Sequence, residues 1–125
     1  MSREQNQRRV FVVDDEAVIA TTLAEILRKQ GFEADSFSLP LEALHAARDN
    51  APDLLISDVV MPIMSGIELA IQLRGHCPEC KVLLFSGHSG TADMLETARA
   101  DGHDFELLPK PVHPSDLLSK IRTVI

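Results

Sequence analysis

The sequence predicts an α/β fold, a doubly wound five-stranded parallel sheet with five helices, and three observations carry that prediction. Short apolar runs such as Val10-Phe11-Val12-Val13 and Leu54-Leu55-Ile56 are too brief for helices and too uniformly apolar for half-exposed strands. That is how strands buried on both faces read. Segments with apolar residues at helical spacing stand between these runs, and glycines and prolines punctuate the junctions. Strand and helix alternate along the chain, which favours a parallel sheet because parallel neighbours need crossover helices.

In order, Val10–Val13 is a strand ending at Asp14-Asp15. A helix follows with Ile19, Leu23, Ile26, Leu27 and Gln30 on one face, and Gly31 stops it. Glu33 to Phe37 is a more polar strand, suited to a sheet edge. Pro40 fits an early helix position, with Leu41, Leu44 and Ala47 facing the core until Asn50 and Pro52 end the helix. The third strand runs between Pro52 and Pro62 and ends on Asp58. Ser65-Gly66-Ile67-Glu68 then matches the Ser-x-x-Glu capping box that opens a helix. That helix carries Ile67, Leu69, Ala70, Ile71 and Leu73 and ends near Gly75. Lys81–Ser86 is the fourth strand, with Gly87 and Gly90 loosening the loop after it. The helix from about Thr91 to Ala100 has the poorest apolar face, and an element that buries little is held weakly. Phe105–Leu108 is a fifth strand before Pro109-Lys110-Pro111, and Leu117, Leu118, Ile121, Val124 and Ile125 repeat with helical spacing after Pro114.

A chain of 125 residues suits one domain with one core. No apolar run approaches the roughly 18–20 residues a membrane helix needs, and the start lacks the apolar region of a secretory signal. A cytoplasmic location is therefore expected. The net charge of −7, with no basic cluster longer than Arg8-Arg9, argues against direct nucleic-acid binding. Five Phe with no Trp or Tyr offer no stacking platform for single strands. Cys77-Pro78-Glu79-Cys80 has the spacing of a redox pair or half a zinc site. The pair follows a helix rather than opening one, and a second ligand pair is missing, so two thiols in a loop is the favoured reading.

Every strand of a parallel sheet points the same way, so the carboxyl ends share one edge, where such sheets bind ligands. Those ends carry Asp14 and Asp15, then Asp58, then Ser86, then Lys110. Each residue alone has a plain explanation: solvated turn acids, a loop-starting serine, a surface lysine. Together they describe a crevice with three carboxylates, a hydroxyl and an ammonium. A hard, oxygen-rich site of this kind suits Mg²⁺, which takes one or two carboxylates plus phosphate oxygens. Lys110 can neutralise a phosphoryl oxygen and Ser86 can donate to another. Attack on phosphorus then falls to a carboxylate, forming an aspartyl phosphate; Asp58 is the residue on which the other segments converge.

With these residues in place, the chain resembles a receiver domain of a two-component response regulator over residues 9–125, with residues 1–8 as an N-terminal extension. The motifs that carry the likeness are Val13-Asp14-Asp15-Glu16, Asp58-Val59-Val60-Met61-Pro62-Ile63-Met64-Ser65-Gly66, Phe85-Ser86-Gly87 and Lys110-Pro111. The resemblance implies a flavodoxin-like strand order 2-1-3-4-5. It implies that Asp58 accepts a phosphoryl group from a sensor histidine kinase or phosphotransfer protein, with catalysis limited to the domain's own phosphorylation and dephosphorylation. Asp15 would bind Mg²⁺ directly, Asp14 mostly through water, and the Val60 backbone carbonyl would add a ligand beside Asp58. Ser86 would swing to the phosphoryl group, Lys110 would pair with it, and the Lys110-Pro111 peptide would be cis. The fourth helix, fifth strand and fifth helix would form the output face, toward a partner or domain that the likeness does not name.

This sequence departs from the family's pattern in three places. The position three before the lysine, often an aromatic switch, is Leu107, while Phe105 lies two residues earlier and the stretch Gly102–Lys110 reads one residue longer than usual. Gly87 follows Ser86 where Ala is common. The two positions that often modulate phosphate loss are Val60 and His88. Two other readings stay open: a Mg²⁺-dependent phosphohydrolase, although the Asp-x-Asp such enzymes carry is missing, and a receiver-like interaction module that works without phosphorylation.

Overall fold

The structure, a computed structural model, describes residues 8–87, 91–103, 105–110 and 113–125. The expectations at residues 1–7, His88, Gly90 and the Lys110-Pro111 peptide lie outside the described residues. Ten elements alternate: β1 (Arg9–Val13), α1 (Ala17–Lys29), β2 (Glu33–Phe37), α2 (Pro40–Asp49), β3 (Leu54–Asp58), α3 (Gly66–His76), β4 (Lys81–Ser86), α4 (Thr91–Ala100), β5 (Glu106–Pro109) and α5 (Pro114–Val124). The five strands form one sheet in the order β2-β1-β3-β4-β5, with every pairing parallel.

Side-chain alternation along the central strands divides the core in two. Phe11, Val13, Leu55, Val82 and Leu84 point to one face, where Ala43 and Ala47 of α2, Leu69 and Leu73 of α3 and Ala98 of α4 cover them. Val10, Val12, Leu54, Ile56, Leu83 and Phe85 point to the other, under Ala20, Ala24 and Leu27 of α1 and Leu117 and Ile121 of α5. Each fully buried aliphatic side chain contributes about 1.5–3 kcal/mol, as an upper bound. The uniformly apolar strands thus have apolar partners on both sides.

Two helices, α1 and α2, rest on smaller residues than their spacing predicts. On α1 the innermost positions are Ala20, Ala24 and Leu27, while Ile19, Leu23 and Ile26 flank them half-buried and Gln30 is exposed. Alanine lets the helix backbone approach the sheet, so the larger side chains spread to either side. On α2, Pro40, Ala43 and Ala47 face inward and Leu41 is 55% exposed, contrary to its expected core position. The predicted capping box opens α3: Glu68 N–H donates to Ser65 Oγ (3.1 Å) and Ser65 N–H to Glu68 Oε1 (2.9 Å). This helix runs through Gly75 to His76. β5 starts one residue later than expected, at Glu106, with Phe105 buried just before it. The described part of α4 buries Ala98, half-buries Leu95 and leaves Met94 exposed, which fits its weak apolar face.

Candidate functional site

The parallel register sets the strand ends side by side. Val13 lies opposite Ser57, Asp58 opposite Phe85, and Ser86 opposite Pro109. Backbone hydrogen bonds carry this order past the strands: Asp14 N–H to Phe37 O (3.1 Å), Val59 N–H to Phe85 O (3.0 Å) and Lys110 N–H to Ser86 O (2.8 Å). The functional groups are therefore held by extensions of the sheet.

Gly66 is forced by this arrangement. Its N–H donates to Val59 O (2.8 Å), and a Cβ here would collide with the Asp58 carbonyl oxygen and press on Ser57 Oγ. Ser57 Oγ itself donates to that carbonyl (2.8 Å). The start of α3 is thus pressed against the end of β3, fixing the backbone that bears Asp58. Sequence reading did not assign this positioning role to Ser57 or Gly66; the signals were a hydroxyl inside an apolar strand and a glycine in the first turn of a capped helix.

Asp14, Asp15 and Asp58 each offer a carboxylate oxygen within 4.8 Å of the others, the only such group of three or more ligating side chains among the described residues. Asp14 and Asp58 are buried and Asp15 is exposed. Lys110 Nζ stands 3.4 Å from Asp58 Oδ1 and 3.7 Å from Asp14 Oδ2. Asp14 Oδ1 accepts the Glu16 N–H (2.9 Å). Burial raises the Asp14 pKa above 3.8, with the Asp58 and Asp15 charges adding to the rise, while the Glu16 N–H and Lys110 oppose it.

The site thus unites Asp14, Asp15, Asp58 and Lys110, and it sets the buried Ser86 on the adjoining strand end. Val60 follows two residues after Asp58 with its side chain exposed. Three carboxylates face one ammonium, so the pocket carries excess negative charge. Asp14 Oδ2 and Asp58 Oδ1 are buried and accept no hydrogen bond from the described residues. The one ammonium shared between these two oxygens leaves the cluster short of positive charge, and an all-oxygen donor set fits a hard divalent ion such as Mg²⁺.

The cysteine pair lies at the opposite edge of the sheet, between α3 and β4. Cys80 N–H donates to Cys77 O (3.0 Å), closing a turn, and both thiols are free. Burial pushes the Cys80 pKa up to about 12 and also raises that of Cys77. Both thiols therefore stay protonated at neutral pH and are poor nucleophiles. Phe105 packs beneath the Arg74 guanidinium (5.0 Å) and stacks with His103 (6.1 Å between centroids), while Arg74 Nε donates to Cys80 O (3.2 Å). Leu107 is half-buried in β5.

The profile of the response regulator receiver domain matches residues 10–122. The chain is 34% identical over 116 residues to the transcriptional regulatory protein CreB of Escherichia coli, covering 93% of this chain and 50% of that protein. It thus spans about half the length of the curated relatives it matches. Among solved structures it is similar to the chemotaxis protein CheY4 of Vibrio cholerae (27% identity, TM-score 0.84, 95% and 99% of the two chains). It is also similar to the BeF3-activated receiver domain of DrrB (25% identity, TM-score 0.79, 94% and 96% of the two chains).

Proposed function

The chain belongs to the response regulator receiver domain family, and from that premise we propose that it is a phosphoacceptor switch in which Asp58 takes a phosphoryl group from a phosphohistidine on a sensor kinase or phosphotransfer protein. Residues 9–125 form the receiver, residues 1–8 precede it, and the setting is cytoplasmic. The observation that carries the proposal is the meeting of Asp14, Asp15, Asp58 and Lys110 from three separate strand ends. The BeF3 activation named for the DrrB relative supports a site that accepts a phosphoryl-like group.

An Asp58 carboxylate oxygen attacks phosphorus, the P–N bond to the donor imidazole breaks, and its electron pair returns to that nitrogen, which takes up a proton. Lys110 reaches Asp58 directly and holds the charge that gathers on the phosphoryl oxygens. Ser86 donates a hydrogen bond to one of those oxygens. Asp14, Asp15 and Asp58, with the Val60 carbonyl, would hold Mg²⁺, which would supply the positive charge an anionic donor needs to enter an anionic pocket. The chain transforms no outside substrate beyond taking and losing its own phosphoryl group.

Phosphorylation adds about −1.5 to −2 charge units to this pocket. Lys110 and Ser86 rearrange around it, and the weakly buried α4, with β5 and α5, forms the face that responds. Phe105 is buried under Arg74, so the response in this chain rests on Ser86 and α4 more than on an aromatic rotamer.

Incubation with acetyl phosphate and Mg²⁺ tests the proposal. Stoichiometric labelling that Asp58→Asn abolishes is the expected result. Turnover of many equivalents would favour a phosphohydrolase, and no labelling would favour an interaction module that works without phosphate.

A further inference from the structure

Of the six large apolar side chains left exposed among the described residues, Val18 lies on α1 and Met94 on α4, and the other four cluster in two neighbouring loops. Leu39, Leu41, Val60 and Ile63 all lie in or next to the β2–α2 and β3–α3 loops. Leu39, Pro40, Leu41, Ile63 and Met64 line one apolar groove. A second depression shares Leu39, Pro40 and Ile63 and has Asp15 in its wall. The apolar surface is therefore continuous with the carboxylate cluster.

Ile63 is the unusual member. Met64 N–H donates to Pro62 O (2.8 Å), closing a three-residue turn with Ile63 at its centre and φ at 75°. This is the rare, strained form of that turn, and β-branched residues are the worst suited to positive φ. Glycine would sit there without strain. Ile63 is also 87% exposed, so the fold gains no burial from its side chain. A strained backbone that holds an apolar side chain out into water, next to a reactive pocket, points to a use outside the fold.

We propose that this groove seats an apolar side chain of the protein that presents the phosphohistidine, an inference that rests on the phosphoacceptor reading. Asp58 is only 6% exposed. A donor imidazole must therefore enter the pocket, and the donor surface around it must cover the rim. The phosphoryl group is an anion entering a site rich in carboxylates, so charge in the pocket offers the docking surface little attraction. Apolar contact on the rim supplies it, and the groove beginning at Asp15 is placed to do so. A small phosphodonor makes no such contact, so the groove discriminates between donor classes.

The test compares two donors on Ile63→Gly and on the double variant Leu39→Ser, Leu41→Ser. One donor is acetyl phosphate with Mg²⁺. The other is whichever histidine-kinase fragment from the source genome, autophosphorylated on labelled ATP, transfers fastest to the wild-type chain. Kinase transfer should fall by about tenfold or more in kcat/KM while acetyl phosphate labelling stays within about twofold. Ile63→Gly should melt no lower than wild type, which separates lost docking from lost folding. Equal losses with both donors, no loss with the kinase, or a wild type that acetyl phosphate labels and every kinase ignores would overturn the proposal. A wild-type dimer that these variants dissolve without slowing transfer would assign the groove to a second copy of the chain and overturn it too. Absence of Asp58 labelling by acetyl phosphate would instead remove the phosphoacceptor reading beneath it.

Discussion

Lys110 Nζ stands 3.4 Å from Asp58 Oδ1, although one residue follows β5 and the other ends β3. Two backbone bonds span that gap, Lys110 N–H to Ser86 O and Val59 N–H to Phe85 O. The ion pair is thus set by the sheet itself. It is also incomplete, because one ammonium is shared between Asp58 and Asp14 while Asp15 adds a third carboxylate.

Removing that ammonium should therefore destabilise the fold. Lys110→Ala leaves the buried Asp14 and Asp58 carboxylates without their cation, and about 1–2 kcal/mol of stability should be lost in metal-free buffer, discounted for the partial exposure of the lysine. Urea denaturation in EDTA and again in Mg²⁺ checks this: the deficit should shrink when the divalent ion is present. An unchanged midpoint in EDTA would mean that the lysine does not hold the pocket together.

The raised pKa of Asp14 gives a pH signature of definite sign. Because the folded value lies above 3.8, the native state binds this proton more tightly than the unfolded chain does. Asp14 therefore lowers stability as pH rises from 3.8 through the raised value, and its full cost is present above that value. Asp14→Asn removes the effect and should raise metal-free stability near neutral pH, with the gain over wild type disappearing in acid. Denaturant midpoints of the two proteins across pH 3.5 to 7.5 measure the difference; a gain that grew toward acid would have the wrong sign.

Two glycines of α3 should respond in opposite directions. Gly66→Ala drives a methyl group into the Asp58 carbonyl and Ser57 and should cost about 2–4 kcal/mol. At Gly75 nothing lies within 4 Å of an added Cβ, and Gly75→Ala should stabilise by up to about 1 kcal/mol through helix propensity. Thermal melting of both variants decides it. Equal effects would contradict the tight contact between β3 and α3.

The strand ends were legible because period and composition identify parallel strands, and a parallel sheet leaves their carboxyl ends only one edge to occupy. The α3 capping box was legible because it is local. What escaped was set by tertiary packing. Apolar spacing placed Leu41 inward, but α2 buries Pro40, Ala43 and Ala47 instead and leaves Leu41 outward. On α1, spacing favoured the large residues, while the sheet accepts Ala20 and Ala24. Ile63 carries no turn signal, so its positive φ was invisible in the sequence. Phe105 read as the first residue of a strand, whereas its burial under Arg74 depends on a side chain from α3.

The central claim is that one of three neighbouring carboxylates, Asp58, carries the phosphoryl group. Borohydride reduction of the acetyl phosphate-treated chain converts an aspartyl phosphate to homoserine, and tandem mass spectrometry of the digest locates it. Homoserine at position 58 alone is the predicted result. Homoserine at position 14 or 15, or at no position in a chain that has taken up phosphate, would contradict it.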